Sequence, residues 1–417
     1  MIRPVLGTII TRVFVMLMNI GIIMIAGHRL GAIGLGDISL VVLGITFIML
    51  LANMGGAGLV YLLPRHSLWA LLLPSYAWAF FTAVFALVAV HVLPLVPVGT
   101  EIHVVVLALL GSIQMTHMNV LLSRQRIQSM NLLQLLQIIV LAAAFAFIVL
   151  FRDGHDVMAY VRASYTAHIV ALAAGMVAVS LLKFPVRHGE GPLLWKIMRQ
   201  GGLIQVANFL QLLNYRLAYY LIERSHGAAA LGIFSVGNQL AESAWLAPKS
   251  IGSVLYGRVS NTQEREESQR LTITAMKAAA AFALVVVTVV VLLPDSLYQW
   301  LFGEEIVGIG RLVALLAPGI IAMAISQALS HYYSGTGTNI HNVVGSAIGV
   351  LCTLALGIPL IPEYGTYGAA AVASVAYMAN TGYQLIMFLR TSRLPVSRLL
   401  PNAGDRDRIL RLLRRIE

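Results

Sequence analysis

Many long stretches of this chain contain no formal charge at all, among them residues 38–64, 67–100, 127–151 and 312–362. A helix rises ~1.5 Å per residue, so each is long enough to cross a hydrocarbon layer about 30 Å thick, and the last is long enough to cross twice. Backbone groups inside lipid must bond within their own segment or close into a barrel. Long unbroken apolar runs, without the two-residue alternation of strands, point to helices. The expected fold is an all-α polytopic membrane protein.

Splitting the chain at charges, glycines and prolines predicts twelve transmembrane helices, near 5–27, 37–63, 68–92, 102–123, 129–151, 158–182, 199–222, 228–257, 271–293, 308–332, 340–361 and 367–390. Residues 1–26 read as the first of these rather than a signal peptide, because Arg12 interrupts the run and another span follows. Charged residues are 11% of the chain, against about 25% in ordinary soluble domains. The connections are short, so there is no room for the sizeable extramembrane loop that polymerases or ligases of lipid-linked glycans use, and no enzyme is expected.

A pI near 9.9 raises the question of nucleic acid, but the distribution of the basic residues answers it differently. With the N-terminus placed in the cytoplasm, twenty-one of the 28 Lys and Arg fall on the cytoplasmic side and five (Arg29, Arg152, Arg162, Arg224, Arg311) on the other; Arg216 and Lys249 remain within spans. That asymmetry is the positive-inside pattern, with both ends cytoplasmic. The tail 405–417 (DRDRILRLLRRIE) sets Ile409, Leu412, Leu413 and Ile416 against four arginines, the pattern of a helix lying on anionic lipid.

The chain also repeats itself. Residues 31–39 (GAIGLGDIS) and 227–235 (GAAALGIFS) match at five of nine positions with an offset of 196, each at a non-cytoplasmic turn opening an even-numbered span. Six spans separate the copies, so the halves share one topology. Parallel repeats of this kind pair as lobes about an axis along the membrane normal, with cargo between them. The predicted organisation is a six-helix lobe at 1–182, a cytoplasmic linker at 183–198, a second six-helix lobe at 199–392 and a basic amphipathic tail at 393–417.

Residues 213–261 are the most informative. Three formal charges, Arg216, Glu242 and Lys249, sit inside their two apolar helices. Counted at ~1.5 Å per residue, they lie roughly 10, 21 and 13 Å from the nearer predicted helix ends. A charge at that depth costs at least a few kcal/mol and usually faces a partner or a wet cavity. Glu242 and Lys249 are seven apart on one face, with Pro248 expected to break the helix between them. Asn214, Asn238 and Gln239 add polarity nearby. One reading is a water-filled cavity whose guanidinium and ammonium hold a phosphate or diphosphate, since the planar guanidinium donates two parallel bonds to phosphate oxygens. The other is an internal Arg216–Glu242 pair tying two helices together, and a gate would use the same pair. Arg12 and Asn19, seven apart on the first span, are further candidates, although Arg12 is also placed to snorkel to the surface. The eleven histidines show no HExxH or paired metal spacing, Gly345-x-x-x-Gly349 reads as close helix packing, and no nucleotide or nucleophile motif occurs, so no cofactor or metal is expected.

Residues 213–260, together with GHRLGAIGLGDISLVVLGITFIML (27–50), GGAGLVYLLPR (55–65) and YGTYGAA (364–370), resemble polysaccharide-type, Wzx-like flippases of the multidrug/oligosaccharidyl-lipid/polysaccharide (MOP) exporter superfamily. The resemblance covers most of the chain. It implies translocation of an undecaprenyl-diphosphate-linked oligosaccharide, a surface polysaccharide repeat unit, from the cytoplasmic to the periplasmic leaflet of a bacterial inner membrane. It also implies alternating access, membrane lipids as surroundings, and a glycan polymerase or other export machinery as partner. Two positions depart from the pattern: Ala218 stands where an acidic residue is common, and Gly257 where proline is. The competing reading is a cation-coupled multidrug antiporter of the related MATE branch. That branch is expected to carry a carboxylate at membrane depth in its first lobe, and the predicted spans one to six hold no Asp or Glu at that depth.

Overall fold

The computed structural model describes residues 2–63, 65–92, 95–152, 154–182, 184, 193–259 and 264–399, and among them there is helix and no strand. The amphipathic tail at 405–417 and most of the expected linker, 185–192, lie outside the described residues. In order the helices are α1 (Ile2–Ala52), α2 (Leu59–Leu62), α3 (Leu68–Val92), α4 (Glu101–Ser123), α5 (Ile127–Phe151), α6 (Val157–Ser180), α7 (Leu194–Glu242), α8 (Leu246–Val259), α9 (Arg265–Leu292), α10 (Asp295–Phe302), α11 (Ile309–Gly335) and α12 (Ile340–Ser392). Short 3-10 turns at Asn53–Gly55, Ser243–Trp245 and Val396–Leu399 follow α1, α7 and α12.

Three of these helices are far too long for one crossing: 51, 49 and 53 residues, or roughly 75 Å at the standard rise. Each is bent at one glycine: Gly31 (φ 67°, ψ −170°), Gly227 (φ 79°, ψ 178°) and Gly365 (φ 56°, ψ −135°). L-residues with a Cβ are essentially excluded from such angles, so the glycine allows the helix to stop and restart in a new direction without a loop. Gly31 and Gly227 are the first residues of the two repeat copies, 196 apart. They hold nearly the same rare conformation, and in both halves a 3-10 turn follows in the next helical segment. Six single-length helices (α3, α4, α5, α6, α9, α11) and three bent runs (α1–α2, α7–α8, α12), each counted as two, make twelve helical segments among the described residues.

The surface identifies the medium. On α3, Phe80, Phe81, Phe85 and Val88 are each 60–64% exposed. A helix apolar all round belongs in lipid, where leaving such side chains uncovered costs nothing.

The chain forms two compact units, Arg3–Phe209 and Leu210–Glu417. In the first, α4 packs against α2, α3 and α6, and α5 against α6. Its core includes Val41, Ile45, Val104, Leu107, Ala108 and Val161. Close approach depends on glycine: a Cβ on Gly55 would lie 2.5 Å from Trp78, whose Nε1 donates to the Leu51 carbonyl at 3.1 Å. In the second, α11 packs against α8, α9 and α12. Gly319 of α11 donates its amide to Ser374 Oγ at 2.8 Å, and a Cβ there would meet Ser374 Cα at 2.5 Å. Trp245, fully buried, donates to the Ile320 carbonyl at 3.0 Å and fastens the 3-10 turn to α11.

Two details differ from the sequence expectation. The turn preceding the second span is the single residue Gly31, so helix resumes at Ala32 rather than near residue 37. Asp37 therefore lies in the second turn of that segment, half-buried and about 9 Å along from the bend at 1.5 Å per residue. The other is α10, an eight-residue helix between α9 and α11 in a region expected to be loop.

Candidate functional site

The bend at Gly227 builds the site. Arg216 stands eleven residues before it, and Asn238 and Glu242 stand eleven and fifteen after it. Reversing the helix at one residue therefore brings the charges of the two segments to the same level. Arg216 Nη2 donates to Glu242 Oε2 at 2.8 Å, and Nη1 donates to the Tyr219 hydroxyl at 2.7 Å. Asn238 Nδ2 donates to Glu242 Oε1 at 2.7 Å and to Tyr219 at 3.2 Å. The guanidinium also lies 4.9 Å from the Tyr219 ring. Each charge is thus bonded twice, as a charge in a low-dielectric setting requires.

The pair is not sealed. The side chains of Arg216 and Glu242 keep 23% and 18% of their surface exposed. Beside them, Tyr377 Oη and Asn238 Oδ1 are buried without a hydrogen-bond partner. An unsatisfied buried polar atom costs about 1–3 kcal/mol, so these atoms mark a place that water or a polar ligand would fill.

After Glu242 the 3-10 turn Ser243–Trp245 interrupts the helix between the charges, as proline at 248 demands. Lys249 follows on α8. It is exposed, with Nζ 5.8 Å from the Trp245 ring centroid. Trp245, Tyr215 and Tyr377 form an aromatic cluster, with centroids 5.2 Å (Tyr215–Trp245), 5.7 Å (Tyr215–Tyr377) and 5.9 Å (Trp245–Tyr377) apart. Such a wall excludes water from one side of the pair while presenting a π face to the lysine.

Of the residues singled out from the sequence, the structure brings Arg216, Asn238 and Glu242 into direct contact. Gln239 is half-buried one residue along from Asn238. Asn214 is buried elsewhere, against Gly349, with both amide atoms unbonded. Arg12 and Asn19 belong to the other unit. Arg12 is exposed, and the Asn19 amide donates to its own helix at Val15 O, 2.9 Å away. Tyr215, Tyr219 and Tyr377 were missed. A tyrosine three residues after a membrane arginine, on the same face, was the available signal for Tyr219. Tyr377, 161 residues from Arg216, left none.

No family model matches this chain, and no curated protein matches it in sequence. Solved structures do match in shape. The lipid II flippase MurJ in its inward closed conformation aligns with a TM-score of 0.71 at 12% identity, over 99% of this chain and 91% of MurJ. A multidrug-resistance MATE family transporter of the MOP superfamily, inward-facing, aligns at 0.66 and 14% identity, over 96% and 95%. A eukaryotic MATE transporter, AtDTX14, aligns at 0.62 and 14%, over 99% and 97%. The fold is that of the MOP-superfamily transporters. Each alignment covers more than nine-tenths of both chains.

Proposed function

We propose that this chain is a flippase that carries an undecaprenyl-diphosphate-linked oligosaccharide from the cytoplasmic to the periplasmic leaflet of a bacterial inner membrane by alternating access, with both termini cytoplasmic. One observation carries the reading: a part-exposed Arg216–Glu242 pair at membrane depth, flanked by unsatisfied polar atoms and followed by the exposed Lys249. A carboxylate and a phosphate compete for the same face of a guanidinium, because both accept its two parallel N–H bonds. An incoming diphosphate takes Arg216 from Glu242, with Lys249 supplying a second positive charge. Binding the cargo thereby breaks a contact between two helical segments, and cargo and conformation become coupled. MurJ, a lipid II flippase by name, supports the assignment to lipid-linked cargo.

The test is transport of a fluorescent undecaprenyl-diphosphate oligosaccharide across proteoliposomes. Arg216→Ala and Lys249→Ala are each expected to slow it at least about tenfold, the loss of one charge-assisted contact, with reconstituted protein at normal level. Wild-type rates in both variants would end the proposal.

Asp37 favours a second reading. A half-buried carboxylate inside a first-unit helix is what a cation-coupled antiporter would use, and the MATE likeness is nearly as high. Under that reading, Asp37→Asn abolishes organic-cation efflux driven by a Na⁺ or proton gradient, while the flippase reading leaves no such efflux to abolish.

A further inference from the structure

A second charged site lies within the Leu210–Glu417 unit, away from Arg216. Where α9 begins and α12 ends, a cleft of about 1460 Å³ opens. That exceeds the ~300–1,000 Å³ of ordinary small-molecule sites. Five guanidinium side chains line it: Arg265 and Arg270 from the first turns of α9, Arg390 and Arg393 from the end of α12, and Arg398 from the following 3-10 turn. Glu264, Glu266 and Glu267 share the cleft, yet among the described residues none forms an ion pair with these arginines. The cleft therefore keeps a net positive charge of two, five arginines against three glutamates.

Helix dipoles explain part of this. Glutamates at the start of α9 and arginines at the end of α12 each complement their own helix. The same rule counts against Arg265 and Arg270, cations at a helix N-terminus, and says nothing of Arg398. Two backbone features hold the cluster together. Arg265 Nη2 donates to the Thr391 carbonyl at 3.1 Å and ties the two helix ends. Arg393 takes a left-handed conformation (φ 53°), which ends α12 and turns the chain so that Arg398 comes back to the cleft. A non-glycine residue there costs roughly 1–2 kcal/mol. Since α9 and α12 both cross the membrane, the level at which they end is that of the lipid headgroups.

We propose that this cleft binds phosphate oxyanions, specifically the phosphodiester headgroup of an anionic phospholipid, through Arg265, Arg270, Arg390, Arg393 and Arg398. The site is distinct from the proposed cargo site: among the described residues Arg216 and Glu242 bond to each other, Tyr219 and Asn238 rather than to the cleft, and it would stand if transport were of another kind. Bound lipid would clamp the start of α9 to the end of α12, reinforcing the tie that Arg265 makes to the Thr391 carbonyl.

Full-length protein in phosphatidylcholine nanodiscs, titrated with phosphatidylglycerol and followed by thermal denaturation, tests it. The wild-type melting temperature is expected to rise saturably. Arg270→Gln and Arg398→Gln should each move the half-saturating phosphatidylglycerol fraction upward about five- to tenfold. Arg126→Gln, an exposed arginine at the start of α5, should leave it in place. Arg390→Lys keeps the charge but loses the bidentate fork, and a smaller shift in the same direction is expected should a glutamine variant fail to fold. Three results overturn the proposal: cleft variants that titrate like wild type, an Arg126→Gln shift as large as theirs, or equal stabilisation in detergent by inorganic phosphate, which would make the ligand a soluble anion.

Discussion

Replacing Glu242 by glutamine removes a charge without removing volume, and its effect can be worked from the contacts. The carboxylate accepts from Arg216 at 2.8 Å and from Asn238 at 2.7 Å. A glutamine offers one acceptor and one donor, so one bond is lost and the other loses its ionic partner. Hydrogen bonds to charged groups contribute about 1.5–3 kcal/mol, and the 18–23% exposure argues for the lower end. If the pair holds the two helical segments together in one state, its loss shifts the balance between states by about 1.5 kcal/mol, roughly tenfold. The chain has one cysteine, Cys352, so a Cys352→Ser background leaves a single engineered reporter. Gln239→Cys, three residues from Glu242 and half-buried, serves. Its alkylation rate by a maleimide should change about tenfold on adding Glu242→Gln. Adding Arg216→Gln as well should change it little further, because both substitutions break one interaction. A rate unmoved by Glu242→Gln, or additive effects of the two changes, would refute a gate built on this pair.

Two further expectations follow from the backbone and the packing. Gly227→Ala and Gly31→Ala force a Cβ into the glycine-only conformation, each costing about 1–3 kcal/mol and lowering detergent thermal stability, whereas Gly21→Ala, with nothing near its Cβ, should raise it slightly. Equal behaviour at the three positions would contradict the bends. Asn214→Leu deletes a buried amide with both atoms unbonded, so the melting temperature should hold or rise; a clear fall would reveal a hydrogen bond or ligand that the geometry does not show.

Much of the architecture was legible because lipid leaves a chain few choices. Uncharged runs of fixed length must be helices, and the nine-residue repeat at 31–39 and 227–235 marks equivalent turns in the two halves. The depth of Arg216 and Glu242 followed from counting residues, and their pairing was one of two readings left open. What counting could not supply was the width of a turn. A loop of several residues would leave Asp37 at the outer edge of the second span, and one positive-φ glycine makes such a loop unnecessary.

Sequence by itself therefore determined that the chain is a bundle of membrane helices in two like halves, with charges held inside the second. Periodicity and charge cost are local properties, and they survive without knowledge of neighbours. Only the tertiary structure decided that Arg216 is held by Glu242 and Tyr219, that Tyr377, 161 residues from Arg216, packs against Tyr215 and Trp245, and that arginines from α9 and α12 share one cleft. Contacts between distant segments depend on how helices pack, and packing is settled by shape, which no single segment carries.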